Sequence, residues 1–346
     1  MIAAIAAVVL VLMVWAPGKP AAVRRVETIG EPVRVSPHAG ADEDPSVIRR
    51  ADGTYLLAWT SPRNGTADIW LAESSDGSHW SSVRQATTGL DDDFYPSLVE
   101  LEDGTLWLAW FRINAATRDA DIWTATSTDG ASWSAPVPVS PQPGIDWAPR
   151  LSRGPTAEPW LVWASERAGD RDVWESTRAI GVWTAPQRLT IGADADDFPT
   201  LTFSGGRLRL AFTRYDASRG DWTVNPTTEI LVKESTDGRN WTNPVLFSTD
   251  SSSRYIDALP AWFERAGRSW IAWTSSRADP MGEILVAPVD SFASFRAATD
   301  RRGAPDYSPS VAPTDSPDGF VLAWVGVADG DMEILVARIG VGSSTV

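Results

Sequence analysis

Asp42-Glu43-Asp44-Pro45-Ser46-Val47 decides the fold, because the same hexapeptide frame returns five more times along the chain. It reads DFYPSL at Asp93 to Leu98, DWAPRL at Asp146 to Leu151, DDFPTL at Asp196 to Leu201, DALPAW at Asp257 to Trp262 and DYSPSV at Asp306 to Val311. The six prolines, Pro45, Pro96, Pro149, Pro199, Pro260 and Pro309, stand 51, 53, 50, 61 and 49 residues apart. A fixed period of this size marks one supersecondary unit per repeat, stacked on its neighbours. Each anchor is followed by a short strand and a turn such as Ala51-Asp52-Gly53 or Glu102-Asp103-Gly104. A second strand then ends near Trp59, Trp110, Trp163, Phe212, Trp273 or Trp324.

Outward from this hairpin, a polar loop leads to a third strand that opens with an acid and an aliphatic residue. The pairs are Asp68-Ile69, Asp121-Ile122, Asp172-Val173, Glu229-Ile230, Glu283-Ile284 and Glu333-Ile334. Three units continue with SSDGSHW (Ser74 to Trp80), STDGASW (Ser127 to Trp133) and STDGRNW (Ser235 to Trp241), then a fourth strand. Four strands per unit and six units predict an all-β, six-bladed β-propeller with four-stranded blades. The sixth unit stops after its third strand. The segment GEPVRVS at Gly30 to Ser36 matches the fourth strands SAPVPVS and TNPVLFS, so an N-terminal strand is expected to complete the last blade and cover its edge.

The 346 residues therefore divide into a leader, residues 1–22, and one propeller, residues 23–346, with blades starting near 42, 93, 146, 196, 257 and 306. The apolar run Ile2 to Ala16 has the length of a secretory signal and is short for a membrane span. It has no preceding Lys or Arg and no good cleavage site before Val23, which leaves a signal peptide and an uncleaved N-terminal membrane anchor both open. Either places the protein outside the cytoplasm, secreted or membrane-anchored. The net charge of −15 argues against nucleic-acid binding. No cysteine and only two histidines exclude disulfides, thiolate metal sites and His-rich metal sites. The 19 tryptophans recur at matching places in the repeat and read as core.

The S-x-D-G-x-x-W heptads are Asp boxes (BNR repeats), and the chain resembles the sialidase superfamily over about Gly30 to Ile339. The box is a turn, held by Ser and Asp side chains on local backbone, so it is structural. The resemblance implies a glycan-directed site with three arginines, a Tyr–Glu nucleophile and an Asp acid/base. Tyr307 matches the nucleophilic tyrosine, Asp68 falls where the acid/base stands, and Arg214 matches the blade-four arginine. The pattern departs elsewhere. Glu43 replaces the first-blade arginine, Asp197 or Phe198 stands where the glutamate partner is expected, and the blade-five arginine has only Arg254 or Arg277 to match it. A conventional exo-sialidase is therefore not expected. The stretch DPSVIRRADGTYLLAW also resembles the opening of furanosidase-type five-bladed propellers, in which the matching Asp44 is a general base, but six repeats and the Asp boxes stand against that assignment.

Asp42, Asp93, Asp146, Asp196, Asp257 and Asp306 are expected to ring one channel mouth, with Arg63, Arg112, Arg167, Arg214 and Arg277 in neighbouring loops. Each aspartate either pairs with an arginine as part of the scaffold, or joins the others to bind Ca²⁺ or a cationic ligand, or contacts sugar hydroxyls. Positions that break the repeat carry more functional information: Glu43 and Asp44, Trp147, Arg150 and Tyr307. Asp44, Tyr307 and Asp68 are the catalytic candidates, and the ring aspartates with Glu43, Trp147, Arg150 and Arg214 are the ligand-binding ones. Two functional classes remain open, a glycoside hydrolase with a carboxylate pair and a non-catalytic propeller that binds a carbohydrate or a cell-envelope partner. A single-face cluster of unrepeated acids would favour the enzyme.

Overall fold

The computed structural model describes residues 24–139, 141–142, 144–215, 228–248, 255–291, 296–299, 304–317 and 319–340. The apolar run Ile2 to Ala16, Arg254 and residues 341–346 lie outside them. Among the described residues there are six sheets, each blade antiparallel, and no helix. The first strands of the blades are Glu43–Arg49, Asp92–Glu100, Asp146–Ser152, Ala195–Ser204, Asp257–Arg265 and Asp306–Pro313. Each packs on the first strand of the next blade, and the last packs on the first, which closes the ring. The outermost strands are short, as in Arg84–Gln85, Val137–Pro138 and Val245–Leu246, so little edge is offered for pairing with another chain. In blade six the outermost strand is Glu27–Arg34, antiparallel to Asp331–Gly340, with a bulge between Ile29 and Val33. Just before it, Arg24–Arg25 runs parallel to Arg296–Ala297 of blade five, so the N-terminal segment ties two blades together.

The core is a series of slabs between blades. Leu56, Ala58 and Leu71 of blade one meet Leu98, Leu108 and Trp110 of blade two, and the pattern repeats between blades three and four. The aromatic residues that close the second strands, Trp59, Trp110, Trp163, Phe212, Trp273 and Trp324, are fully buried. Serine and threonine side chains stitch the inner strands. Ser46 Oγ accepts from Leu98 N at 3.0 Å, Ser97 Oγ from Leu151 N at 2.8 Å and Ser310 Oγ from Val47 N at 2.9 Å. The heptads fold as local turns. In the first, Ser74 Oγ accepts from Gly77 N at 2.8 Å and Asp76 Oδ1 accepts from Ser78 N and His79 N at 2.8 Å.

One backbone feature positions the site. The residue before each anchor proline is left-handed: Asp44, Tyr95, Ala148, Phe198, Leu259 and Ser308 all have φ between 47° and 55°. Residues preceding proline favour extended backbone, and bulky ones resist positive φ, so the sixfold recurrence is an imposed bulge. Each first strand loses register there, between Glu43 and Ser46 in blade one and between Asp197 and Thr200 in blade four. The bulge sets the direction of two positions, the last ladder pair, such as Glu43 with Thr60 or Asp197 with Thr213, and the left-handed residue before the proline, which leaves the ladder. These are the positions whose identity changes from blade to blade: Glu43-Asp44, Phe94-Tyr95, Trp147-Ala148, Asp197-Phe198, Ala258-Leu259 and Tyr307-Ser308.

Candidate functional site

The repeated aspartates form scaffold ion pairs. Arg112 grips Asp93 with two bonds, Nε to Oδ1 at 2.6 Å and Nη2 to Oδ2 at 2.8 Å, and Arg214 holds Asp196 the same way at 2.7 and 2.8 Å. Arg63 bonds Asp42 at 2.8 Å, Arg277 bonds Asp257 at 2.6 Å, and Arg167 bonds Asp146. Asp306 accepts the Trp324 indole N–H at 2.8 Å. The arginines lie over blade tryptophans as well, Arg63 over Trp70 at 4.8 Å and Arg112 over Trp123 at 5.0 Å. Burial raises the pKa of Asp42, Asp93, Asp146 and Asp196, and the arginine contacts pull each back. All six are buried and engaged within their own blade. Convergence on Ca²⁺, one of the three roles left open for them, has no support in this geometry: among the described residues no group of three or more acids or histidines is placed to hold a metal ion. Arg214, expected to bind a ligand, and Arg277, one of two possible matches to the blade-five arginine, are likewise committed to Asp196 and Asp257. Asp68 is a scaffold acid too, bonded to Thr66 Oγ1 at 3.0 Å and Gln85 Nε2 at 2.9 Å. Asp172 and Glu333, its counterparts, pair with Arg188 and Arg34 of outer strands.

The unrepeated positions behave differently and meet one another across blades. Glu43 of blade one lies beside the Tyr307 phenol of blade six, whose hydroxyl donates to Met332 Sδ at 2.8 Å, and Glu43 Oε1 is buried with no hydrogen-bond partner. Trp147 of blade three donates its indole N–H to Asp197 Oδ1 of blade four at 2.7 Å. Both contacts join residues at the same bulge position in adjacent blades. The two seams are three blades apart in a six-bladed ring, so two aromatic–carboxyl pairs stand on opposite sides of the axis. Between them lie Asp44, Tyr95 and Arg150. Tyr95 interacts with Asp44, Arg150 lies over the Tyr95 ring at 5.8 Å, and Tyr95 stacks on Phe198 at 5.9 Å.

Environment separates these acids. Burial raises Glu43 to about 7, tempered by Tyr307 and pushed further by Asp42. Burial raises Asp197 to about 6, held down by Arg171, the Phe198 N–H and Trp147. Asp44 is raised well above the carboxylate range by burial and then by Glu43, against the pull of Arg150 and Tyr95. Burial also raises Tyr95 and Tyr307, which stay neutral phenols. Arg150 stands where other blades have a seam Ser, Thr or Ala; deep in the molecule yet partly solvent-exposed, it has its pKa lowered by burial.

Asp44 and Tyr307, read from the sequence as catalytic, do join the cluster and are buried, at 3% exposure each, as is Asp197 at 1%, whereas Glu43 is partly open. Trp147, expected to offer an aromatic surface, is 2% exposed and serves as a hydrogen-bond donor. The partly exposed aromatic ring at the bulge positions is Phe94, stacked on Phe111 at 5.4 Å. Phe94, Tyr95 and Arg171 were not singled out in the sequence. Comparing the two residues before each proline blade by blade finds Phe94 and Tyr95, while Arg171 comes from a polar loop with no such signal. A cavity of about 440 Å³ lies elsewhere, between Thr28, Arg34, Thr299, Trp324 and Leu335 at the outer seam of blades five and six, away from these acids.

No family model matches the sequence, and no curated protein sequence matches it. Solved structures do. A protein of unknown function from Dyadobacter fermentans aligns with TM-score 0.73 and 15% identity over 92% of this chain and 99% of its own. A GH93 α-L-arabinofuranosidase of Fusarium graminearum, complexed with arabinobiose, aligns at 0.69 and 15% over 90% and 98%. A Trypanosoma rangeli sialidase, in complex with the inhibitor DANA, aligns at 0.64 and 13% over 90% of this chain and 58% of its own. The chain thus has the six-bladed β-propeller fold found in sialidases and GH93 arabinofuranosidases.

Proposed function

We propose that this propeller works outside the cytoplasm as a glycoside hydrolase on a neutral glycan, with Glu43 and Asp197 as its carboxyl pair. The observation that carries the reading is the cluster of unrepeated acids, Glu43, Asp44 and Asp197, set among Tyr95, Arg150 and Tyr307 on opposed seams. Hydrolysis of a glycosidic bond needs one carboxyl that holds a proton and one that is ionised. Glu43, partly exposed and poised at about 7, suits proton donation; Asp197, at about 6 beside Arg171, suits the ionised role. Phe94 offers a face on which a sugar ring can stack. A neutral substrate fits because Arg63, Arg112, Arg167, Arg214 and Arg277 are each bound to an aspartate of their own blade. These five forks are engaged and do not present themselves to a sialoside carboxylate. The arabinobiose bound by the Fusarium enzyme makes pentofuranosides the first class to try. Export rests on the apolar Ile2 to Ala16 run.

The test is hydrolysis of an aryl glycoside panel, including an α-L-arabinofuranoside and a sialoside, by wild type, Glu43→Gln and Asp197→Asn, with and without Ca²⁺. Turnover of a neutral glycoside that falls by about 10²-fold or more in both variants supports the pair as acid and base. Folded wild-type protein that turns over nothing, yet binds a glycan on an array, moves the reading to a binding propeller.

A further inference from the structure

Two carboxyls, each beside an aromatic residue of the adjacent blade, stand on opposed seams, and their surroundings differ. Glu43 has carboxyls on both sides, Asp42 and Asp44, and a phenol in front. Asp197 has a guanidinium: Arg171 Nη1 lies 3.5 Å from its Oδ2, while its Oδ1 accepts from both Trp147 Nε1 at 2.7 Å and its neighbour's backbone, Phe198 N, at 2.9 Å. Arg171 reaches in from the loop that links the second and third strands of blade three. On the way it lies over the Trp147 ring at 5.8 Å and sits 3.4 Å from Glu166 of the same loop. One arginine of blade three thus contacts both members of the pair, Trp147 of its own blade and Asp197 of the next.

We propose that Arg171 and Trp147 are positioning residues that sort the two carboxyls, fixing Asp197 as the ionised, oriented member and leaving Glu43 as the one that carries the proton. The inference rests on the hydrolytic reading for its consequence but not for its test. Two partners on Oδ1 and one on Oδ2 fix the carboxylate plane, as a reacting or stabilising anion requires. Among the described residues a cation contacts the Asp197 carboxyl and none contacts that of Glu43, which separates the proton affinities of the two. The groups that face Asp197 are Arg171 and Glu166 from the blade-three loop, Trp147 from the first strand of blade three, Tyr215 from the second strand of blade four and Tyr95 from blade two. Arg171 is the one cation among them, so its removal has a defined sign.

The Trp147 indole N–H reports the charge of Asp197 directly. In ¹H–¹⁵N spectra of the full ligand-free chain, the resonance lost in Trp147→Phe should titrate with Asp197, with a midpoint of about 6. Arg171→Met should move that midpoint up by about one pH unit, and Arg171→Lys should restore most of the difference. In active protein the acid limb of the kcat/KM profile should move up with it, while the alkaline limb, set by Glu43, stays in place. A midpoint unmoved in Arg171→Met, or moved as far in Arg171→Lys, overturns the proposal. If Arg171→Met fails to fold, the lysine variant combined with the Trp147→Phe acid limb decides the question. Absence of turnover in wild type sinks the hydrolytic reading alone, because the indole titration needs no substrate.

Discussion

Glu175 offers the sharpest stability prediction. It lies on the third strand of blade three, Asp172–Ala179, where blades one and four have Leu71 and Val232, and it is 4% exposed. Burial raises its pKa to about 8, with Trp241 and Lys233 only partly opposing, and its Oε2 is buried without a partner. Lys233 points its Nζ at the Leu189 carbonyl, 2.5 Å away, so the seam between blades three and four holds a carboxyl that favours its neutral form. The folded state therefore binds this proton more tightly than the unfolded chain, and stability falls as pH rises from the unfolded value near 4.5 through about 8. At 1.36 kcal/mol per pH unit, the loss from this group between pH 6 and pH 9 is about 3 kcal/mol. Glu175→Gln keeps the shape and removes the proton. Urea unfolding at pH 6 and 9 should show the variant losing about 3 kcal/mol less than wild type, with the other buried acids common to both. Equal pH slopes in the two proteins would refute the argument.

Arg112→Met leaves Asp93 buried beside lost partners and should cost about 3–5 kcal/mol in urea unfolding, much of it recovered when Asp93→Asn is added. Gly238→Ala places a Cβ 2.0 Å from Trp160 at φ +71°, so it should destabilise by more than about 2 kcal/mol. Gly205→Ala, at φ +58° with open space around it, should cost only about 1–2 kcal/mol. Deleting residues 1–36 strips the outer strand of blade six and bares the Asp331–Gly340 edge; size-exclusion should report self-association and calorimetry a lower Tm. Retention of a monomer with unchanged Tm would show that the added strand carries no stability.

The fold was legible because its determinants repeat. A proline three residues after an aspartate, an aromatic residue closing the second strand and an acid opening the third each recur blade by blade, and each has one structural task. Asp93 with Arg112 and Asp196 with Arg214 show that task directly. The site was legible only in part. Glu43, Asp44, Arg150 and Tyr307 were visible as departures from the pattern, but the left-handed bulge that brings them together was not, because a residue before proline ordinarily predicts extended backbone. Trp147 was misjudged for the same reason: beside a ring aspartate it reads as an exposed platform, and the bulge instead buries it against Asp197.

The recurrence that hides the bulge also explains why chemistry can sit there. Aspartate and proline are engaged in every blade, the one in a buried polar pair and the other at the strand's break, so neither can change without cost to the ring. Of the two residues between them, the first makes the last ladder pair and the second leaves the ladder at the bulge, so neither carries the polar contact repeated in every blade. Their identity is therefore free to differ in each blade: acid in blades one and four, aromatic in two, three and six, small or aliphatic in five. A sixfold scaffold acquires an asymmetric site without breaking its own symmetry. Arg171 needs no repeat position at all, since a guanidinium on a loop reaches the pair from outside the ladder and changes the charge of one carboxyl while leaving the architecture untouched.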